Sequence, residues 1–108
     1  MKKLQGNMDK KLKKHFLGAL RSERYTQGHG CLHDERDNSF CCLAVLAVCA
    51  GKDHKSLYEG STLDNVDMLH VFGSDEETNF ALQGKMIDLN DEKGWSFKRI
   101  ATWAEKHL

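Results

Sequence analysis

Hydrophobic residues recur at helical spacing near the start of the chain. From Met8 to Arg21 the apolar positions fall three or four residues apart, and the lysines lie mostly on the opposite side. This pattern predicts an amphipathic helix. The lysines could form a nucleic-acid patch, but Asp9, Glu23 and the lack of interleaved aromatic residues favour a simple solvated face.

Between residues 25 and 41 the helical period is lost. The run YTQGHGCL mixes β-forming residues with two glycines, and DERDN is typical turn material, so a short, irregular hairpin is predicted. The next run, CCLAVLAVCA, is too long and too rich in alanine for a typical strand, and Gly51 follows where a helix end favours glycine. We therefore expect a buried helix over Cys42–Ala50.

Three further helical segments follow. The run STLDNVDMLHVFG offers Ser61 or Thr62 as an N-cap and Gly73 as a stop. The acidic loop SDEE separates it from a helix over about Asn79–Leu89. In the last segment Ser96 is positioned to cap a C-terminal helix.

These elements predict a mainly helical α+β fold, with four or five short helices and one short β-hairpin or irregular β element near residues 25–41. Residues 1–7 are expected to form a flexible N-terminus and residues 8–108 a single globular domain. A chain of 108 residues is long enough for one core. The predicted core consists of Phe16, Leu20, Cys42, Leu43, Val45, Leu46, Leu69, Phe72, Leu89, Ile100 and Trp103.

Charge and hydropathy limit the classes of binding partner and the cellular compartment expected for this protein. Sixteen basic residues balance sixteen acidic ones, so no global field draws the chain to phosphate backbones or anionic lipid, which argues against direct DNA binding. The longest apolar run, Cys41–Ala50, has about half the length that crosses a bilayer, and the N-terminus lacks the apolar core of a signal peptide. We expect a cytoplasmic protein without membrane contact, whose cysteines stay reduced.

All four cysteines and two of the six histidines lie between residues 27 and 51. On an extended strand, His29, Cys31 and His33 would share one face, about 7 Å apart, and Cys41 or Cys42 could complete a tetrahedral zinc site. No recognised zinc-ligand spacing is present, however, and cysteine is commonly buried. We therefore expect no metal and no other cofactor; if a metal binds, its ligands are His29, Cys31, His33 and Cys41.

Three other interpretations of the motifs stay open. Cys41 or Cys42 at a helix start could be a reactive thiolate with His29 or His33 as its base. The run QGHG could hold a phosphate, although a tight turn is the more frequent use of such glycines. The C-terminal segment resembles the first helix of a helix-turn-helix, but no recognition helix follows before Leu108.

Three stretches, ALRSERYTQGHGCLHD, SFCCLAVLAV and LNDEKGWSFKRIATWAEKHL, resemble a family of small uncharacterised proteins from tailed-phage and prophage genomes. Those proteins typically show ALRSG-Y-QG-G-LR, CCLGVLC and LND-G-SF-EIA-IE in this order, and TLDNVDMLHVFG fits their usual LP-V-W-GL helix. The chain departs from the pattern at His29 and His33, where Lys or Arg is usual. Ala44 and Ala47 replace the glycine and the last cysteine of CCLGVLC.

The resemblance implies a phage-type accessory protein in the host cytoplasm that acts by binding and has no catalytic residues. The expected role is stoichiometric inhibition of a host antiviral defence component, either in the manner of an anti-CRISPR protein or as a sponge for a nucleotide signal. The partner would be a host protein, a nucleoprotein complex or a small nucleotide, with a homodimer left open. A zinc- or thiol-dependent small enzyme and a DNA-binding protein are the alternatives.

Two sets of residues are the candidate binding sites. An anion would be held at the glycine turn, whereas a basic protein surface would meet the acidic loop. The candidates are Arg24, Gln27, Gly28, His29, Gly30, His33 and Arg36 for the anion, and Asp75, Glu76 and Glu77 for the protein.

Overall fold

The computed structural model describes residues 4–57, 62–63 and 68–108. Within them lie, in chain order, α1 (Lys10–Arg21), β1 (Thr26–Gln27), β2 (His33–Asp34), β3 (Ser39–Phe40), α2 (Cys42–Cys49), α3 (Glu76–Ile87) and α4 (Phe97–His107). Short 3₁₀ turns cover His54–Leu57 and Leu69–Phe72, and a π-helical turn, Asp88–Glu92, continues α3. The predicted class, mainly helical α+β, is confirmed.

Side chains cap the first and last helices. The Asp9 carboxylate accepts a hydrogen bond from the Leu12 N–H at 3.0 Å, which gives a partner to a donor that the helix start leaves open. Ser96 caps α4 in the same way, as predicted. Because Asp9 takes the cap position, α1 begins after it and not at Met8.

Helix α2 lies between α1 and α3 and has no polar face. Residues Cys42–Ala47 are all fully buried, which is what an all-apolar helix requires. Gly51, with a φ of 102°, turns the chain away after the helix. The predicted buried helix over Cys42–Ala50 is confirmed, with its last helical residue at Cys49. None of the described helices is both long enough and apolar enough to cross a membrane.

The β element is a three-stranded sheet in the order β1-β3-β2. Strands β2 and β3 form an antiparallel hairpin in which His33 pairs with Phe40, and β1 joins β3 in parallel. Asn38, in the hairpin turn, has a φ of 53°, a conformation that asparagine tolerates better than most residues. The predicted hairpin is confirmed, whereas the parallel strand β1 was not predicted.

The core largely follows the prediction. All the predicted core residues are buried except Leu69 and Trp103, which are partly buried and pack against the core. A tryptophan ring is large and is seldom covered completely. The fully buried side chains that were not predicted include Leu32, Leu57, Leu63, Leu82 and Met86.

Residues 4–7, which were predicted to be flexible, are hydrogen bonded to the domain. The Gly6 N–H donates to the His107 carbonyl at 2.7 Å, and the Asn7 N–H donates to the Phe72 carbonyl at 2.8 Å. Backbone hydrogen bonds to the domain therefore include residues before the predicted boundary at residue 8. Residues 1–3 lie outside the described residues.

The helix predicted to begin at Ser61 or Thr62 falls mostly outside the described residues. Of this segment the structure describes residues 62–63 and 68–73, which include the 3₁₀ turn Leu69–Phe72. Gly73 ends that turn with a φ of 68°, in agreement with its predicted role as a stop.

Candidate functional site

The predicted glycine turn is fixed to the core by one asparagine. Asn90, buried in the π-helical turn, accepts hydrogen bonds from the Gln27 side-chain amide at 2.9 Å and from the Cys42 N–H at 3.3 Å. It also donates to the Gly28 carbonyl at 2.9 Å. The Gln27 amide donates in addition to the Trp95 carbonyl at 2.8 Å. The polar groups of the turn are therefore hydrogen bonded to other parts of the protein. Through Asn90 they link the three stretches of sequence that carry the family resemblance.

Position 28 requires glycine because the backbone there packs closely against Ser39 of β3. A Cβ at this position would overlap the Ser39 side chain, so no larger residue fits beside β3. The Gly28 N–H donates to the Phe40 carbonyl at 2.8 Å and is not directed to a ligand. Gly30 has a φ of 86°, which glycine adopts without strain. These contacts favour a structural turn over a phosphate cradle.

The extended strand on which His29, Cys31 and His33 would share one face is not formed. Residues 28–32 form an irregular connection, because the glycine turn bends the chain before β2 begins. His29 is exposed, whereas the His33 side chain is buried, with Nε2 2.9 Å from Asn38 Oδ1 and its ring 4.5 Å from that of Phe40. In the described part of the chain, no three His, Cys, Asp or Glu side chains are grouped to hold a metal ion.

The two cysteines at the start of α2 are not activated. Burial raises the pKa of Cys41 to about 12 and that of Cys42 well above its ordinary value, because a thiolate is poorly solvated there. The Cys42 thiol points to the Met86 carbonyl oxygen, with Sγ 3.6 Å away. Desolvation thus outweighs the helix dipole, and the environment opposes the alternative of a reactive thiolate. All four cysteines of the chain are free thiols.

The two predicted anion-binding arginines lie in different cavities. Arg36 pairs with Asp34, with 2.9 Å between Nη2 and Oδ2, and hydrogen bonding to Arg36 holds the pKa of Asp34 below its usual value. The pair lines an open cavity of about 290 Å³ together with Glu35. Arg24 lines a different cavity, beside the lysines of α1. The structure does not bring these cations to one anion site.

The predicted acidic loop is the start of α3. Asp75 is the N-cap, and its carboxylate accepts a hydrogen bond from the Thr78 N–H at 2.7 Å. Glu76 and Glu77 follow as exposed residues of the first helical turn, where the helix dipole favours carboxylates. The loop prediction is wrong because this capping interaction nucleates the helix three residues earlier than Asn79.

An exposed phenylalanine follows these carboxylates. Phe80 has 44% of its surface exposed, more than any other large hydrophobic residue in the described ranges. It lies one turn after Glu76 and Glu77, so the three side chains occupy neighbouring positions on the helix surface. We call Glu76, Glu77 and Phe80 the α3 face.

Sequence reasoning missed the exposure of Phe80, although a signal was present. Leu82 and Met86 define the buried side of α3. At 3.6 residues per turn, Phe80 lies about 160° from Leu82 around the helix. A helical wheel anchored on these two residues therefore places the ring on the solvent side.

Helix α1 carries a cluster of positively charged residues, although the net charge of the whole chain is zero. Its lysines line two cavities of about 520 and 440 Å³, which meet at Gly18. Gly18 has open space where a Cβ would be, so the surface of α1 has a shallow depression at this residue. Arg21 is ion-paired with Glu105 across 3.7 Å, whereas the described structure shows no ion pair for Lys13 or Lys14.

Together these features define a small α+β domain whose motif residues build the fold, with lysines on α1 and exposed carboxylates at the start of α3. The chain belongs to the family described as a domain of unknown function, DUF8296, whose model matches residues 8–105. Membership of an uncharacterised family is thereby confirmed. No curated protein and no solved structure matches the chain.

Proposed function

We propose that this protein is a phage-type accessory protein that inhibits a host antiviral defence component by stoichiometric binding. The motif resemblance supports the phage context. The observation that carries the binding role is the α3 face, where a large aromatic ring is exposed beside two carboxylates. In this proposal the protein acts in the host cytoplasm and binds a protein or nucleoprotein complex.

The chemistry of the α3 face indicates the kind of partner. Aromatic residues, phenylalanine included, are enriched in the cores of protein interfaces, and Phe80 is presented by α3. Glu76 and Glu77 form no ion pair with any described residue, so their charges are available to a partner. The complementary surface is basic with an apolar pocket, such as one that normally holds nucleic acid.

A plating assay tests the proposal. Bacteria that carry one defence system each would express the protein, and the plating efficiency of a phage restricted by that system would be measured. We expect the wild-type protein to restore plating in at least one strain. The double variant Glu76→Lys/Glu77→Lys and the variant Phe80→Ser should abolish the effect, whereas Glu92→Lys, a charge reversal at another exposed position, should retain it.

Binding to the target identified in that strain provides the quantitative test. Native mass spectrometry should show a complex of defined stoichiometry. Loss of an interface residue of this kind costs about 2 kcal/mol, so Phe80→Ser should weaken binding about 30-fold. Full inhibition by the variants of the α3 face, or inhibition at strongly substoichiometric protein, would contradict the proposal. The second outcome would favour the zinc- or thiol-dependent enzyme.

The basic surface of α1 supports a second candidate, binding to a nucleic-acid backbone. Lysines that neutralise phosphates release counterions, so the affinity for duplex DNA should fall steeply with salt. Replacing Lys13 and Lys14 by glutamine should reduce the slope of log affinity against log salt by about 2. A flat salt response in a fluorescence anisotropy titration would eliminate this candidate.

A further inference from the structure

The outer side of α4 presents a planar group at every fourth position. Arg99, Trp103 and His107 follow one another at this spacing and form a stripe along the helix. Trp95 lies just before the Ser96 N-cap and joins this stripe through its contact with Arg99. The Arg99 guanidinium carbon lies 3.9 Å from the centroid of the Trp95 ring. The rings of Trp103 and His107 are stacked, with their centroids 4.7 Å apart and their planes 24° from parallel.

A cleft of about 340 Å³ is lined by these two stacked pairs together with Thr102 and Lys106. This volume lies within the range of about 300–1,000 Å³ that is usual for small-molecule sites. Both indole rings are only partly buried. Among the described residues the lining contains no carboxylate, and neither Arg99 nor Lys106 forms an ion pair. The cleft therefore combines flat rings with two positive charges that have no ion-pair partner among the described residues.

His107 is held in a fixed orientation at one end of the cleft. Its Nδ1 lies 3.1 Å from the Leu4 carbonyl oxygen, and because a carbonyl can only accept, Nδ1 carries a proton. The His107 carbonyl in turn accepts a hydrogen bond from the Gly6 N–H at 2.7 Å. The stacked pair of Trp103 and His107 is thus arranged before any ligand arrives, which lowers the entropy cost of binding.

We propose that this cleft binds a free nucleotide. The flat base would pack against the indole and imidazole rings, and stacking of a base on an aromatic side chain contributes about 1–3 kcal/mol. The phosphate would meet Arg99 and Lys106, whose donors form charge-assisted hydrogen bonds to phosphate oxygens. A neutral aromatic molecule leaves the two cations unused, and inorganic phosphate leaves the rings unused. The site is separate from the α3 face and does not depend on the proposed inhibitor role.

Tryptophan fluorescence tests this proposal directly. The chain contains two tryptophans, and both line the cleft, so the intrinsic emission reports on the cleft. Titration with adenosine monophosphate at low salt should quench the emission saturably, with a Kd of about 0.1–1 mM. Adenosine and ribose 5-phosphate, which each lack one half of the ligand, should bind at least about tenfold more weakly.

Matched variants locate the binding site. Arg99→Gln and Lys106→Gln should each weaken adenosine monophosphate about tenfold and leave the weak binding of adenosine unchanged. Lys55→Gln removes the same charge at another exposed position, to which no binding role is assigned, and should leave the Kd unchanged. Trp103→Phe keeps a flat ring in the partly buried position, so it should retain binding and assign the share of quenching that comes from Trp95.

Four results would overturn the proposal. The first is no quenching at about 10 mM adenosine monophosphate, which exceeds any useful affinity for a small ligand. The second is equal binding of ribose 5-phosphate and the nucleotide, because the rings would then contribute nothing. The third is an equal loss in Lys55→Gln and Lys106→Gln, which would indicate general electrostatic attraction. The fourth is binding of oligothymidylate without binding of any mononucleotide, which would indicate a surface for a strand.

Discussion

Replacing Asn90 by alanine removes the hydrogen bonds that link the three stretches of sequence that carry the family resemblance. The wild-type side chain makes four hydrogen bonds, with Gln27, Cys42, Gly28 and Asp91. These partners belong to β1, the start of α2, the glycine turn and the π-helical turn. Because the change touches neither the α3 face nor the cleft on α4, we expect it to reduce the stability of the domain and to leave the chemistry of both surfaces intact.

The size of the loss in stability depends on whether water can replace Asn90 as the hydrogen-bond partner of each group. Gln27 and Asp91 are partly exposed and can exchange their lost bonds for water. Cys42 is fully buried, so its N–H loses its Asn90 partner without access to solvent, at a cost of about 1–3 kcal/mol. With the remaining bonds and the small cavity, the total is about 3 kcal/mol. That is a large fraction of the roughly 5–15 kcal/mol that stabilises a typical domain.

Urea unfolding followed by circular dichroism measures this loss. With an m-value of about 1.5 kcal/mol/M, the unfolding midpoint of Asn90→Ala should fall by about 2 M. Asn7→Ala changes an exposed asparagine and should alter the free energy of unfolding by less than about 0.5 kcal/mol. A double-mutant cycle of Asn90 with Gln27 should show coupling of about 1 kcal/mol. If Asn90→Ala unfolds at the same urea concentration as Asn7→Ala, the structural role assigned to Asn90 is refuted.

Two further predictions concern glycines and thiols. Gly73→Ala should destabilise the domain by about 2 kcal/mol in urea unfolding, because φ is 68° and a Cβ would overlap the Asn7 carbonyl. Gly84→Ala, in α3 with open space at the Cβ, should stabilise it by about 0.5–1 kcal/mol; the same sign for both glycines would contradict the argument. In the folded protein, iodoacetamide should label the partly exposed Cys31 long before Cys42, as read by peptide mass spectrometry. Burial also raises the pKa of Cys31, so its rate should keep rising with pH well into the alkaline range, and a plateau near neutral pH would refute this.

The helices were predictable where one local signal dominated. The apolar run after Cys41 has no polar side, so burial on all faces followed from composition alone. The side chain of Ser96 indicated a cap that depends only on residues within one turn. The acidic residue Asp75 carries the same kind of signal, but it was interpreted as part of a loop because the carboxylates after it also suit solvent.

The arrangement around the histidines and cysteines depended on backbone conformation that the sequence pattern does not show. A shared face for His29, Cys31 and His33 required an extended strand, whereas Gly30 adopts a φ of 86° and the strand starts only at His33. The role of Asn90 was not predictable either, because its contact with Gln27 spans 63 positions along the chain. The tryptophan stripe was readable from the spacing of four, but it was interpreted as a helix packing against the core.

The hydrogen bonds between residues 4–6 and His107 hold the start of the described backbone against the last turn of α4. A purification tag fused ahead of residue 4 would therefore be attached beside the end of α4, where His107 contacts Leu4 and is stacked on Trp103. Ligand titrations should accordingly use protein from which the tag has been cleaved.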